Sequence, residues 1–195
     1  KYIPEEHQTF EICRTAVLKS YSAIPYIKIY APYLLLEVVT IYESALKYIE
    51  PQTDHLCLKA VSYYGSAIQY VKPEHMTNEL IKAALFRYGE GLKFVSPEKQ
   101  TEELCCIAIR QSVHAYKFVA NKSSTIRELV LSMYVFYIVD MINEGIASYR
   151  DLYFALNKDG IYLKHIENQT KELAIIATQN CPKALKYVSL NLNPS

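Results

Sequence analysis

The chain has 195 residues, enough for one domain or two. Its 21 basic and 20 acidic residues give a formal net charge of +1, which argues against a general binder of nucleic acid or of anionic membranes. No stretch approaches the ~18 apolar residues that a membrane span requires. The five cysteines include no Cys-x-x-Cys pair, so we expect no zinc site or other cofactor, and free buried thiols in a reducing, intracellular and cytoplasmic location.

One pattern recurs along the whole chain. A Thr at position zero is followed by apolar residues at positions three, four, seven and eight, a small residue at fourteen, an apolar one at fifteen, an aromatic at seventeen and an aliphatic at eighteen. It is clearest between Thr101 and Val119. Eight copies align at spacings of 22 to 24 residues, which is typical of a repeat architecture. The repeats start near Thr9, Ala31, Thr53, Thr77, Thr101, Thr125, Ser148 and Thr170.

Each repeat is predicted to be a helical hairpin. The apolar positions mark one face of a helix with 3.6 residues per turn, and the leading Thr suits the N-cap. Thr125 and Glu128 have the spacing of a capping box. A glycine stands where three of the first helices are expected to stop, before a shorter second helix. These glycines are Gly65, Gly89 and Gly160.

A single hairpin is too small to fold alone, because its few apolar side chains cannot offset the conformational entropy that it loses. Neighbouring hairpins that cover each other's apolar faces can do so. We therefore predict an all-α fold, an α-solenoid formed as one array over residues 1–195. Lys1-Tyr2-Ile3-Pro4 matches the end of a repeat, so a truncated half-repeat is expected before the first full one.

The pattern Gln-Thr-x-x-Leu-Cys-x-x-Ala-Val, then Gly, then Ala-Leu-x-Tyr-Val, resembles a family of short helical repeats. It is best matched by residues 52–71, 76–95, 100–119 and 169–188. The family is a domain of unknown function common in giant DNA viruses of amoebae and in some amoeba-associated bacteria. The family has no established activity or catalytic residues, so the resemblance implies only a solenoid and a viral or bacterial origin.

Aromatic residues recur at and near position eleven. Stacking would place them in a row that could bind a partner peptide or helix, since Tyr is enriched at interface anchors. The alternative, favoured by a total of 18 tyrosines, is that they cover the small residues between repeats. The candidates are Tyr42, Tyr64, Tyr88, Phe86, Tyr134 and Phe136.

Lysines recur at position sixteen and form a potential basic row: Lys47, Lys93, Lys117, Lys164 and Lys186. Such a row could follow a phosphate backbone. The acids at position two, interrupted by Arg127 and Arg150, favour instead a solvated face of mixed charge, with lysine stems lying over the core.

The segment 129–142 is apolar on almost every side, and a helix of that kind must be covered on every side. One hypothesis is a homodimer interface that includes Leu131, Val135 and Ile138. An equally open alternative is a deformed repeat that packs under the next one.

The sequence contains no recognisable catalytic motif. Its five histidines lack metal-ligand spacing, and there is no glycine-rich phosphate loop and no nucleophile elbow. We therefore predict a non-enzymatic scaffold that binds another protein. A nucleic-acid-binding repeat protein is the alternative.

Overall fold

The computed structural model describes residues 3–28, 31–133, 135–145 and 147–189. Every regular element in these ranges is helical and none is a strand, which confirms the all-α prediction. The contacts divide the chain into two compact units, Lys1–Ala120 and Asn121–Ser195, and each is described by itself. A single array over the whole chain stays a prediction.

The first compact unit contains five ten-residue α-helices: α1 (Phe10–Lys19), α2 (Pro32–Ile41), α3 (Asp54–Tyr63), α4 (Asn78–Arg87) and α5 (Glu102–Gln111). Each is followed by a six-residue 3₁₀ helix: Tyr21–Tyr26, Glu43–Tyr48, Gly65–Tyr70, Gly89–Phe94 and Val113–Phe118. Three-residue 3₁₀ turns occur at Glu5–His7, Pro73–His75 and Pro97–Lys99. Successive α-helices pack on one another, and so do successive 3₁₀ helices, which gives the unit two layers.

The second compact unit contains α6 (Ser124–Met133), α7 (Val135–Asn143), α8 (Tyr149–Lys158) and α9 (Lys171–Asn180). The 3₁₀ helices Gly160–His165 and Pro182–Tyr187 follow α8 and α9. In the sixth repeat the second helix is the α-helix α7 and not a 3₁₀ helix. It ends near Gly145, whose φ of 68° is in the left-handed region.

The predicted caps and core positions explain where the first helices begin and which face they bury. Six leading residues accept a hydrogen bond from the backbone N–H three residues on: Thr9, Thr53, Thr77, Thr101, Ser148 and Thr170. In most repeats the small residue at position seven, such as Ala108 or Ala177, is fully buried, whereas Ala16 of the first repeat is exposed. The side-chain cap fixes each helix start, and the start decides which side chains face inward.

The sixth repeat begins at Ser123 and not at Thr125. The Ser123 hydroxyl accepts from the N–H of Ile126 at 3.3 Å, while Thr125 lies inside α6. The capping box predicted for Thr125 and Glu128 is therefore wrong. Counted from Ser123, Arg127 moves from position two, on the solvated face, to the buried position four.

The glycines at position twelve are not helix stops of the expected kind. Tyr64 and Asp159 end their helices with extended backbone, and Tyr88 ends α4 with φ −144° and ψ 87°. Each glycine is the first residue of a 3₁₀ helix. The glycines are needed because the next repeat approaches closely. A Cβ on Gly89 would lie 2.2 Å from the carbonyl oxygen of Ala108.

Candidate interaction surface

In several repeats a glutamine directly before the leading Thr, at position minus one, forms hydrogen bonds with the backbone at the end of the same repeat. The amide of Gln52 donates to the carbonyl of Tyr70 at 2.8 Å, and its oxygen accepts from the N–H of Lys72 at 3.0 Å. The amide also reaches back to the carbonyl of Leu46 in the preceding repeat at 3.4 Å. In three other repeats, the side-chain oxygen of the equivalent glutamine accepts from the backbone N–H twenty residues downstream. These glutamines are Gln8, Gln100 and Gln169. We call this arrangement the glutamine clamp; the sequence signal was the Gln-Thr pair.

The tyrosines at position eleven lie in the seams between repeats. The Tyr42 hydroxyl donates to the carbonyl of Leu18 at 2.6 Å, and the Tyr64 hydroxyl donates to that of Ile41 at 3.0 Å. Both rings are half-buried, as is Tyr88, whose hydroxyl accepts from Lys93 at 3.5 Å. These contacts give the tyrosines a role inside the repeat stack.

Phe86 is placed differently. Its side chain is 77% exposed near the C-terminal end of α4. The last residues of the two preceding helices are also exposed: Tyr63 of α3 by 50% and Ile41 of α2 by 44%. Because successive helices of this unit pack side by side at spacings of about 8–10 Å, we call Ile41, Tyr63 and Phe86 the apolar row, roughly 20 Å long.

Of these three residues, the sequence analysis singled out Phe86 and missed Ile41. The signal was available: positions nine and ten lie outside the buried set of three, four, seven and eight, so an apolar residue there faces away from the core. The row also carries a positive charge, since Lys59 lies 5.1 Å from the centre of the Tyr63 ring.

The basic-row lysines are exposed, and four of them lie over aromatic rings. The nitrogen-to-centroid distance is 5.6 Å from Lys47 to Tyr48, 5.1 Å from Lys117 to Phe118 and 4.7 Å from Lys186 to Tyr187. Lys93 lies 5.0 Å from the Phe94 ring and 5.9 Å from the Phe118 ring. Lys164 is also exposed. These cation–π contacts cover ring faces that a nucleobase would need for stacking.

The second compact unit buries an ion pair that the sequence did not predict. Arg127 and Asp151 form a salt bridge, and their side chains are only 9% and 1% exposed. Arg127 also donates to the carbonyl of Lys122 at 2.9 Å. Asp151 accepts from the N–H and hydroxyl of Ser148, completing a capping box at the start of α8.

The side chains of the three dimer candidates, Leu131, Val135 and Ile138, lie outside the described residues. So do two candidates of the aromatic row, Tyr134 and the side chain of Phe136. A homodimer through 129–142 stays a prediction.

The cysteines and acids form no chemical centre within the described ranges. No group of three or more His, Cys, Asp or Glu side chains there could hold a metal ion. The five cysteines are free, and burial raises the pKa of Cys57 and of Cys105 to about 11, which keeps both thiols protonated at neutral pH. None of the described helices combines the length and apolar character needed to cross a bilayer.

Comparisons with known proteins find no matching family model, no matching curated protein and no matching solved structure. The resemblance to the short viral repeat family therefore stays a hypothesis.

Proposed function

We propose that the protein is a non-enzymatic helical-repeat scaffold, an α-solenoid that binds another protein through the apolar row. Its buried thiols support a reducing, intracellular setting. A viral or bacterial origin belongs to the same proposal and rests on the sequence resemblance alone.

The observation that carries the proposal is the exposure of the apolar row. In the same unit the core positions, the caps and the seam tyrosines are buried or hydrogen-bonded, and the fold does not need Phe86 to be apolar. Aromatic side chains that project from successive rigid helices lose little entropy on binding, and they are the usual anchors of protein interfaces.

The test is a pull-down with the full chain as bait, comparing wild type with a Tyr63→Ser/Phe86→Ser variant. The matched control is Tyr33→Ser, because Tyr33 is 82% exposed near the opposite end of α2. We expect a protein captured by wild type and by the control to be lost from the row variant. All three chains should melt alike, since exposed substitutions usually change stability by less than about 0.5 kcal/mol. Capture that the row variant retains would contradict the proposal.

Nucleic-acid binding is a second candidate. It is favoured by one observation: Lys47, Lys93 and Lys117 are exposed and make no ion pair with the described residues. Such binding would weaken by about 10³-fold or more between 50 and 200 mM salt if six or more phosphates were contacted. Fluorescence anisotropy with a labelled single strand, repeated with Lys93→Ala/Lys117→Ala, would measure it. Binding unaffected by either change would exclude this candidate.

A further inference from the structure

The first compact unit contains a cavity of about 620 Å³. It lies between the ends of the first two repeats and the starts of α2 and α3. Cavities of about 300–1,000 Å³ with mainly apolar walls are typical of sites for small molecules. Most of the lining side chains here are apolar, among them Ile27, Leu35, Leu36, Ile49 and Leu56.

The cavity exposes a position that is buried in the other repeats of this unit. Leu35 occupies position four and is only half-buried, as is Leu36 beside it. The second repeat packs between the first and the third, so this exposure does not arise at an end of the chain. The equivalent residues of the other repeats are all buried: Cys13, Cys57, Ile81 and Cys105.

The length of the second repeat explains why this space is open. The third and fourth repeats have 24 residues, and each is followed by a three-residue 3₁₀ turn. The turn Pro73–His75 lies at the start of α3, since His75 Nδ1 is 2.6 Å from a carboxylate oxygen of Asp54. The second repeat has 22 residues, and its linker 49–53, which the structure describes throughout, contains no such turn. The start of α2 therefore lacks the cover that the start of α3 has.

The charges around the cavity favour an anion. Lys28 lines the cavity, is exposed and makes no ion pair with the described residues. Glu50 is the one acidic residue of the described lining, and its carboxylate accepts from Lys72 at 2.5 Å. An apolar cavity with an unpaired cation beside it is complementary to a molecule that has an apolar body and one negative group.

We propose that this cavity binds a small amphipathic carboxylate, such as a medium-chain fatty acid. The hydrocarbon chain lies against Leu35 and Leu36, and the carboxylate accepts hydrogen bonds from Lys28. The site is separate from the apolar row, because Ile41 is at the other end of α2.

The first test is isothermal titration calorimetry of the full chain with octanoate, with octylammonium as a control of opposite charge. We expect saturable binding of octanoate, and binding of octylammonium that is at least about tenfold weaker. Along the series hexanoate, octanoate and decanoate, each added CH₂ group should tighten binding about three- to fourfold. A wild-type chain that binds none of the three acids at millimolar concentration would overturn the proposal.

Two variants test the carboxylate contact and the cavity wall separately. Lys28→Gln should weaken octanoate binding about tenfold. Lys19→Gln, the same change at an exposed lysine outside the cavity lining, should leave it unchanged. Leu35→Trp fills part of the cavity and should abolish binding. An affinity that Lys28→Gln does not alter would contradict the carboxylate contact.

A longer linker tests the origin of the cavity. Inserting Glu-His after Pro51 gives the Pro-Glu-His sequence that forms the turn Pro73–His75, and the new turn should cover the start of α2 and prevent octanoate binding. The same insertion after Pro97 lengthens a linker outside the cavity lining and should leave binding intact. Circular dichroism melts would show that each variant is folded. Octanoate binding that persists in both Leu35→Trp and the Pro51 insertion would overturn the proposal, because the acid would then bind at another place.

Discussion

The two compact units fill equivalent positions of their repeats with different chemistry. In the first unit, positions three and four of α5 hold Leu104 and Cys105, both buried and uncharged. In the second unit, position four of the sixth repeat holds Arg127, and position three of the next holds Asp151. The repeat therefore determines which positions are buried, and a charge is accepted there when the adjacent repeat supplies its partner.

The largest effect should come from breaking the salt bridge between Arg127 and Asp151. Arg127→Met leaves Asp151 buried without its ion-pair partner, which should cost about 3–5 kcal/mol of unfolding free energy. Cys105→Ala, at the same position in the first unit, removes only a small apolar contact and should cost about 1 kcal/mol. Urea unfolding followed by circular dichroism measures both.

Adding Asp151→Asn to Arg127→Met sharpens the comparison, because the amide oxygen can still accept from Ser148 while the buried charge is removed. The double variant should be more stable than the sum of the two single effects implies. Strict additivity would show that the charges do not depend on each other.

Glycine substitutions test a feature that both units share. Gly89→Ala and Gly160→Ala would bring a methyl group within 2.2 and 1.9 Å of a backbone carbonyl, so each should cost about 1–3 kcal/mol. The control is Gly91→Ala in the same 3₁₀ helix, where the nearest atoms belong to side chains and most repeats already carry Ala. Equal losses from Gly89→Ala and Gly91→Ala would contradict the close approach.

Removing a glutamine clamp should have an effect of similar size. Gln169→Ala deletes hydrogen bonds to the carbonyls of Leu163, Ile166 and Tyr187, which leaves buried groups unsatisfied and should cost about 2 kcal/mol. Gln179→Ala, at an exposed position of α9, should change stability little. Thermal melts of the two variants give the difference directly.

The smallest effect concerns the start of α6. Ser123→Ala removes the N-cap and should cost about 1 kcal/mol, whereas Thr125→Ala, inside the helix, should be nearly neutral. A larger cost for Thr125→Ala than for Ser123→Ala would place the start of the repeat at Thr125, as the sequence suggested.

That boundary shows what sequence reasoning could and could not provide. The Thr caps and the apolar spacing predicted nearly every first helix, because both signals are local. The sixth repeat begins at Ser123, two residues before the predicted start. Arg127 was therefore expected in solvent, although it lies in the core, and its ion pair with Asp151 could not be predicted. The second helices were predicted as helices, but six residues are too few for periodicity to separate 3₁₀ from α geometry.

The candidate surface was predicted only in part. Phe86 could be identified as an exposed aromatic, since its position falls outside the buried set. The place of Tyr42 and Tyr64 between repeats agrees with the alternative that the sequence favoured. Their hydrogen bonds could not be predicted, because a hydrogen bond to a backbone carbonyl of the neighbouring repeat leaves no trace in the sequence of either repeat.

The glutamine clamp has a consequence for how the chain can vary in length. Each clamp joins a side chain to the backbone twenty residues later, although the repeats themselves are not equally spaced. Extra residues are thus accommodated only in the short linker after the closed loop, as at Pro73–His75. An insertion library should find its tolerant sites in these linkers and reject insertions elsewhere, so that they are the natural points for grafting foreign peptides.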